Sequence, residues 1–174
     1  MRKLTHQEIV DRQKVRMRTP FLPITVVLDN IRSLYNVGSI FRTADGAGVE
    51  KVFLCGITGT PEQSGVRKTA LGAEERIPWE YRKDVVTTVK EMKQQGQQVV
   101  LLEQTDAAVI YERFRPRGPV CLVIGNEIEG INPALLSLAD AAVEIEMAGI
   151  KNSLNVGVAF GIIAYHLRSG LIDR

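Results

Sequence analysis

Five short apolar runs alternate with stretches of helical periodicity, and this alternation restricts the fold more than any other feature of the chain. The runs are ITVVL (24–28), KVFLCG (51–56), QVVLLE (98–103), PVCLVI (119–124) and AAVEIE (141–146). PVCLVI is apolar throughout, which is typical of central strands in parallel sheets because both of their faces are covered. Strands separated by helices predict an α/β fold, with a mostly parallel sheet and helices on both faces.

Four helices are predicted between and after these strands. In the first, Val37, Ile40, Phe41, Ala44 and Ala47 recur at helical spacing, and we predict Asn36 as its N-cap and Gly48 as its end. The others are predicted over 84–95, over 132–139 and over 153–168. Residues 57–83 are rich in Gly, Pro and charge, and are expected to form a long loop around short ordered pieces.

The length and composition predict one domain in a reducing compartment. The chain has 174 residues, of which 45% are hydrophobic, enough for one core but not for two. Cys55 and Cys121 lie inside apolar runs and are expected to be buried free thiols. Apolar stretches fall short of the roughly 20 residues of a membrane span, and the first 20 residues do not resemble a signal peptide. We therefore expect a soluble cytoplasmic protein without a membrane partner.

The first 20 residues form a basic arm on a domain that covers residues 21–174. The whole chain carries a net charge of only +2, yet six basic residues stand among the first 19 positions against two acidic ones. They are Arg2, Lys3, Arg12, Lys14, Arg16 and Arg18. The arm either contacts nucleic-acid phosphates or is a solvated helix, and its charge alone does not separate the two.

Ligands of open α/β sheets bind outside the carboxyl ends of the strands, so polar residues after strands are candidate site residues. After the first strand, Asn36 and Arg42 share one helix. An Arg42 side chain extended over the small Gly38 and Ser39 would reach Asn36 and create an anion-binding corner. The alternative is a surface ion pair of Arg42 with an acidic neighbour, either Asp45 or Glu50.

Two more strand ends carry such residues. After the fourth strand, Gly125 would allow a ligand to approach the backbone, and Glu127 is either catalytic or a structural acceptor within the turn. After the fifth, Ser153 and Asn155 are predicted in the first turn of the last helix, where Ser153 or Asn152 could simply be the N-cap. Gly157 and Gly161 indicate close packing of that helix against the sheet or a partner subunit.

Other motifs point away from several common functions. DGAGVE (45–50) resembles a dinucleotide-binding turn, but it follows a helix and precedes a strand, the reverse of the required order. GITGTPEQSG lacks the Lys-Ser/Thr ending of a phosphate-binding P-loop. His6 and His166 are isolated, so neither a metal site nor a Ser/His triad is expected.

In order and spacing, three segments resemble the motifs of the SpoU/TrmH family of RNA ribose methyltransferases, within the SPOUT superfamily. They are LDNIRSLYNVGSIFRTADGAGV, CLVIGNEIEGI and IEMAGIKNSLNVGVAFGI, and the resemblance covers residues 22 to 168. It implies a deep C-terminal trefoil knot, binding of S-adenosylmethionine and a homodimer. A departure is Glu146, where the family commonly has Pro between Ile and Met.

The resemblance also implies roles for individual residues. Asn36, Arg42, Glu127, Ser153 and Asn155 match the polar, catalytic positions of the three motifs. The positions expected to bind the cofactor are Gly125, Ile145 and Leu154, with Met147 close by.

The implied reaction is methylation of a ribose 2'-hydroxyl in structured RNA, either transfer RNA or ribosomal RNA, without a metal and without DNA as a partner. The alternatives are a non-catalytic knotted RNA-binding or assembly protein and a SPOUT enzyme that methylates a base. RNA contacts are predicted for the arm and for Arg67, Lys68, Arg76, Trp79 and Tyr81 of the 57–83 segment, although Trp79 and Tyr81 also suit a core or dimer contact.

Overall fold

Seven parallel strands and six α-helices form the computed structural model, which describes residues 1–16 and 20–172. The strands are β1 (Leu22–Asp29), β2 (Val49–Cys55), β3 (Trp79–Arg82), β4 (Gln98–Leu102), β5 (Val109–Ile110), β6 (Val120–Ile124) and β7 (Ala141–Glu144). The helices are α1 (His6–Arg16), α2 (Leu34–Ala47), α3 (Ser64–Ala70), α4 (Ala73–Arg76), α5 (Val85–Gln94) and α6 (Val156–Ile172). Two 3₁₀ helices cover Tyr111–Arg113 and Pro133–Leu138. Arg18 of the predicted basic arm lies outside the described residues.

The sheet reverses its strand order next to β1. Its order is β3-β2-β1-β6-β4-β7-β5, and the paired strands within the described residues are all parallel. From β1 the chain builds outward through β2 to β3, crosses to form β4 and β5 on the other side of β1, and then inserts β6 between β1 and β4. The predicted parallel sheet is therefore confirmed, and its reversal lies between β1 and β6, where ligands of such sheets bind.

Helices cover both faces of the sheet, as predicted. Along β1, Ile24, Val26 and Leu28 pack into one apolar cluster with α2, α3, α4 and α6, whereas Val27 packs into a second cluster with α5 and the 3₁₀ helix Pro133–Leu138. Each fully buried aliphatic side chain of this kind contributes about 1.5–3 kcal/mol. Because β1 is covered on both sides, its carboxyl end is a fixed platform for the loop that follows it.

Helix α2 begins earlier than predicted. Its N-cap is Ser33, whose side chain accepts a hydrogen bond from the backbone N–H of Asn36, so the prediction of Asn36 as N-cap is wrong. The carboxamide of Asn36 is free for tertiary contacts as a result. The predicted end is confirmed, since Gly48 adopts φ 79° and donates its N–H to the carbonyl of Ala44.

The segment 57–83 contains more regular structure than predicted. It holds α3, α4 and the edge strand β3, which pairs with β2. Trp79 of β3 packs against the core, which favours the core alternative for this side chain, while Tyr81 is exposed. Arg76 forms an ion pair with Asp45.

Helix α6 packs on α2 through its glycines. A Cβ added to Gly157 would lie 3.5 Å from Cβ of Ser39, and one added to Gly161 would lie 3.9 Å from Cγ2 of Thr43. The close packing predicted for these glycines is thus made with α2 rather than with the sheet. Both cysteines are buried as expected, and burial raises the pKa of Cys55 to about 11. In residues 1–16 and 20–172, no helix is both long and apolar enough to cross a membrane.

Candidate functional site

The side chain of Asn36 joins three segments that are far apart in the sequence. Its Nδ2 donates to Oε1 of Glu127 at 2.9 Å, and its Oδ1 accepts from Nδ2 of Asn155 at 3.1 Å. Asn36 lies on α2, Glu127 follows β6, and Asn155 directly precedes α6. Three of the predicted polar residues therefore form one network at the carboxyl edge of the sheet.

Glu127 anchors the loop that follows β1. Its carboxylate accepts hydrogen bonds from the backbone N–H of Arg32 at 2.9 Å and of Ser33 at 3.1 Å, besides that from Asn36. Burial raises the pKa of Glu127, but these hydrogen bonds outweigh burial and leave the pKa below its usual value. A carboxylate with a low pKa is a poor proton acceptor, so the geometry favours the structural alternative for Glu127.

Asn155 is the N-cap of α6. Its Oδ1 accepts from the N–H of Gly157 at 2.9 Å and of Val158 at 3.4 Å. The prediction that Ser153 or Asn152 caps this helix, with Asn155 inside the first turn, is therefore wrong. The helix starts later because Asn155 supplies the oxygen that its free amides need. Ser153 is exposed before the helix.

Arg42 is exposed on α2 and forms no hydrogen bond or ion pair with any residue of 1–16 or 20–172. The predicted path over Gly38 is occupied, because Gly38 is buried against α3 and a Cβ added there would lie 2.2 Å from the carbonyl oxygen of Val66. Asp45 pairs with Arg76 instead. The surface ion pair with Asp45 is thus not formed, and the guanidinium remains available to a ligand.

A cavity of about 650 Å³ opens beside this network. It is lined by segments 102–105, 124–131 and 152–156 together with the end of β7. All four residues predicted to bind a cofactor lie on its wall, namely Gly125, Ile145, Met147 and Leu154. Glu127, Ser153 and Asn155 also line it, whereas Asn36 and Arg42 do not.

A comparison with known proteins decides the family. The model of the SpoU rRNA Methylase family matches residues 23–165. The chain belongs to the SpoU rRNA methylase family. The 23S rRNA (guanosine-2'-O-)-methyltransferase RlmB of Ralstonia nicotianae is 33% identical over 143 residues, which cover 82% of this chain and 57% of that protein. The tRNA (guanosine(18)-2'-O)-methyltransferase of Escherichia coli is 30% identical over 142 residues, 82% of this chain and 61% of that protein.

Solved structures agree with the membership of the SpoU family. The A. aeolicus TrmH/SpoU tRNA modifying enzyme matches with a TM-score of 0.83 at 26% identity, over 96% of this chain and 84% of that one. The AdoMet-bound rRNA methyltransferase from Sinorhizobium meliloti matches with a TM-score of 0.80 at 31% identity, over 90% of this chain and 60% of that one. The chain spans less than two thirds of the length of the two curated relatives named above.

In this SpoU family member, the backbone of the loop after β6 explains Gly125. A Cβ added to Gly125 would lie 2.3 Å from the carbonyl carbon of Gly130 and 2.4 Å from the backbone nitrogen of Ile131. Glycine is therefore required by the turn of its own loop, and the close approach of a ligand to its backbone stays a prediction. The loop is closed further by the bridge between Asn126 and Gly130.

Two carboxylates that the strand-end search missed hold the same loop. Asp29, buried at the end of β1, accepts from the N–H of Asn132 at 2.9 Å, and burial raises its pKa. Glu103, directly after β4, accepts from the N–H of Ile131 at 2.9 Å. Both residues end apolar runs in the sequence, which is the signal that identifies them. The loop that lines the cavity is thus held by carboxylates at the ends of two different strands, β1 and β4.

The cavity wall is acidic. Its ionisable side chains are Glu103, Glu127, Glu129 and Glu144, and no Lys, Arg or His is among the described residues that line it. Such a wall favours a ligand that carries positive charge. The polar set and the cavity together suit a cationic small molecule beside a polar substrate that enters from the side of Asn36.

Proposed function

We propose that this chain transfers the methyl group of S-adenosylmethionine to a ribose 2'-hydroxyl of transfer RNA or ribosomal RNA. The observation that carries the proposal is the junction of the Asn36 network with a cavity lined by all the predicted cofactor residues. Two relatives support the proposed reaction, since RlmB and the E. coli enzyme are named as guanosine-2'-O-methyltransferases. The S. meliloti structure supports the proposed cofactor, since it contains AdoMet.

The cavity fits S-adenosylmethionine in charge and size. When bound, this cofactor supplies a methyl group on a positively charged sulfur. The four glutamates on the wall complement that charge, and the volume of about 650 Å³ lies in the usual range of small-molecule sites. Gly125, Ile145, Met147 and Leu154 would hold the cofactor.

The remaining residues position the RNA. Arg42, exposed and unpaired among the described residues, binds a phosphate and the reacting hydroxyl. Asn36 is held by Glu127 and Asn155, and its second amide hydrogen orients the ribose. A guanidinium hardly deprotonates, so a neighbouring phosphate or water takes the hydroxyl proton. Positioning supplies much of the rate.

We also propose that the protein is a homodimer that works in the cytoplasm. Val158, Tyr165 and Ile172 recur every seven residues on α6 and are each a little more than half exposed. A half-exposed apolar stripe suits an identical helix of a second subunit, although the hydroxyl end of Tyr165 also lies against Gly46 of α2.

We further propose a trefoil knot in the C-terminal part. Strand β7 lies beyond β4, yet α6 packs on α2 next to β1, so the chain after β7 returns across the carboxyl edge of the sheet. The Gln104 side chain donates to the carbonyl of Asn152 at 2.7 Å and ties the returning segment to the loop after β4.

Three measurements test the proposed activity. Calorimetric titration with S-adenosylmethionine should show one site for each chain. The radiolabelled methyl group should then be transferred to total transfer RNA or ribosomal RNA, where the methylated nucleotide can be mapped. A 2'-deoxy nucleotide at that position should abolish transfer. Transfer to the 2'-deoxy substrate would identify a base methyltransferase, and RNA binding without cofactor binding would identify a non-catalytic module.

A further inference from the structure

Residues 113–117, Arg-Phe-Arg-Pro-Arg, alternate between buried and exposed side chains. Phe114 and Pro116 are buried, while Arg113, Arg115 and Arg117 are exposed. The His166 ring N–H donates to the carbonyl of Phe114 at 2.8 Å. Because α6 anchors the buried residues, all three arginines face away from the core.

The three arginines line a second cavity, an open groove of about 940 Å³, which we call the arginine groove. Arg115 is held in place, since its Nη1 donates to the carbonyl of Phe114 at 2.8 Å and also to that of Glu112. The charge of Asp140 on the groove wall is already balanced by Lys93 at 2.7 Å and by the N–H of Val99 at 2.8 Å.

The arginine groove adjoins the candidate site. Glu144, at the end of β7, lines both the groove and the 650 Å³ cavity. The positive excess of the whole chain is only +2 and the first 19 residues hold more than that excess. Against the carboxylate of Glu144, three arginines within five residues still leave a local positive excess on a domain with no positive excess of its own.

We propose that the arginine groove binds the phosphate backbone of the RNA substrate at nucleotides away from the methylated ribose. Alternate residues of an extended chain lie about 6.6 Å apart, so the arginines form a row rather than a cluster around one point. A row of guanidinium groups suits successive phosphates of a polymer, each able to accept two parallel hydrogen bonds. The inference rests on the proposed function for its choice of RNA as the anion.

The test compares two variants that change the net charge equally. Arg113→Gln with Arg117→Gln changes the groove and spares Arg115, whose hydrogen bonds support the segment. The matched control is Lys90→Glu, which makes the same change in net charge at one exposed residue of α5. Fluorescence anisotropy with labelled unfractionated bacterial transfer RNA measures the affinity from 50 to 300 mM salt.

The groove variant should lose about 5- to 20-fold in affinity at 150 mM salt, and the slope of log affinity against log salt should shrink by about 1.5. Its dissociation constant for S-adenosylmethionine should equal that of the wild type, and the control should bind RNA as the wild type does. Equal losses in both variants, or no loss in the groove variant, overturn the proposal. A wild-type protein that binds RNA through the groove but transfers no methyl overturns the proposed function and leaves the groove standing.

Discussion

The carboxamide of Asn36 has a fixed orientation, because its two partners differ in what they accept and donate. The Glu127 carboxylate can only accept, so it faces Nδ2, and Nδ2 of Asn155 can only donate, so it faces Oδ1. The orientation of this one carboxamide therefore fixes the positions of the loop after β6 and of the start of α6 relative to α2.

Asn36→Asp should destabilise the protein more than Asn36→Ala does. The aspartate places a second carboxylate against Glu127 and removes a donor, whereas alanine only removes the bonds. We expect a cost of about 1–3 kcal/mol for the aspartate variant, seen as a drop of roughly 3–10 °C in melting temperature by calorimetry. Equal melting temperatures for the aspartate variant and the wild type would contradict the described network.

Arg42→Ala should abolish most methyl transfer and leave cofactor binding intact. Arg42 is exposed and does not line the cavity, so its loss should remove only the proposed contact with the RNA. We expect the single-turnover rate to fall by about 10²-fold or more, while the dissociation constant for S-adenosylmethionine stays within about twofold. Arg42→Lys keeps the charge and serves as the control, with a smaller loss of rate. An Arg42→Ala protein that transfers methyl at the wild-type rate would remove Arg42 from the mechanism.

Among the elements, α1 starts with a capping box. Thr5 and Glu8 exchange hydrogen bonds, with the N–H of Thr5 donating to Oε2 of Glu8 at 2.8 Å and the N–H of Glu8 donating to Oγ1 of Thr5 at 3.3 Å. Arg2 also donates to Glu8, at 2.9 Å through its Nη1. The predicted basic arm thus begins with an ordered helix.

The start of α1 should loosen in acid. Hydrogen bonds from Arg2 and then from Thr5 lower the pKa of Glu8 from 4.5 to about 2. Since the folded value is the lower one, the stabilisation is complete above about pH 4.5 and is lost as the pH falls toward about 2. The amide shift of Thr5, followed by NMR, should report this transition. Glu8→Gln should lack it, and an unchanged titration in that variant would assign the transition to another group.

The elements that sequence reasoning found are those whose stabilisation is local. Strand β6, inside the predicted run 119–124, is fixed by its apolar side chains. The helix predicted over 84–95 begins where predicted because Asp84 accepts a hydrogen bond from the N–H of Thr87. Strand β3 was missed, because WEYR is stabilised by its pairing with β2, which no local pattern reveals. Asn36 was misread as a cap for the same reason, since its partners lie 91 and 119 residues away.

Some residues of the candidate site could be predicted from the sequence and others could not. The strand-end rule gave Glu127 and Asn155, and the resemblance added the cofactor residues, since both follow from position in the chain. Asp29 and Glu103 were missed although they end apolar runs, because their task is to accept backbone hydrogen bonds from the neighbouring loop. Such tasks depend on which loop lies next to which strand.

For the whole molecule, the apolar stripe on α6 predicts a dimer that one charge should break. Tyr165→Glu places a carboxylate in the middle of the stripe formed with Val158 and Ile172. We expect light scattering after size exclusion to show a shift from dimer to monomer. Thr87→Glu, on an exposed position of α5, is the control and should remain dimeric. A Tyr165→Glu protein that is still dimeric would place the subunit contact on another surface.

The hydrogen bond between Asn36 and Asn155 also sets the time at which the site can exist during synthesis. It joins residues 119 positions apart, and α6 follows the second of them. Translation proceeds from the N-terminus, so the core strands can pair while the ribosome still holds α6. A nascent chain whose Asn155 is still inside the ribosome therefore carries most of the sheet. It has neither the complete wall of the cavity nor an Asn36 side chain held by Asn155. Any S-adenosylmethionine binding should appear only after Asn155 and α6 have left the ribosome.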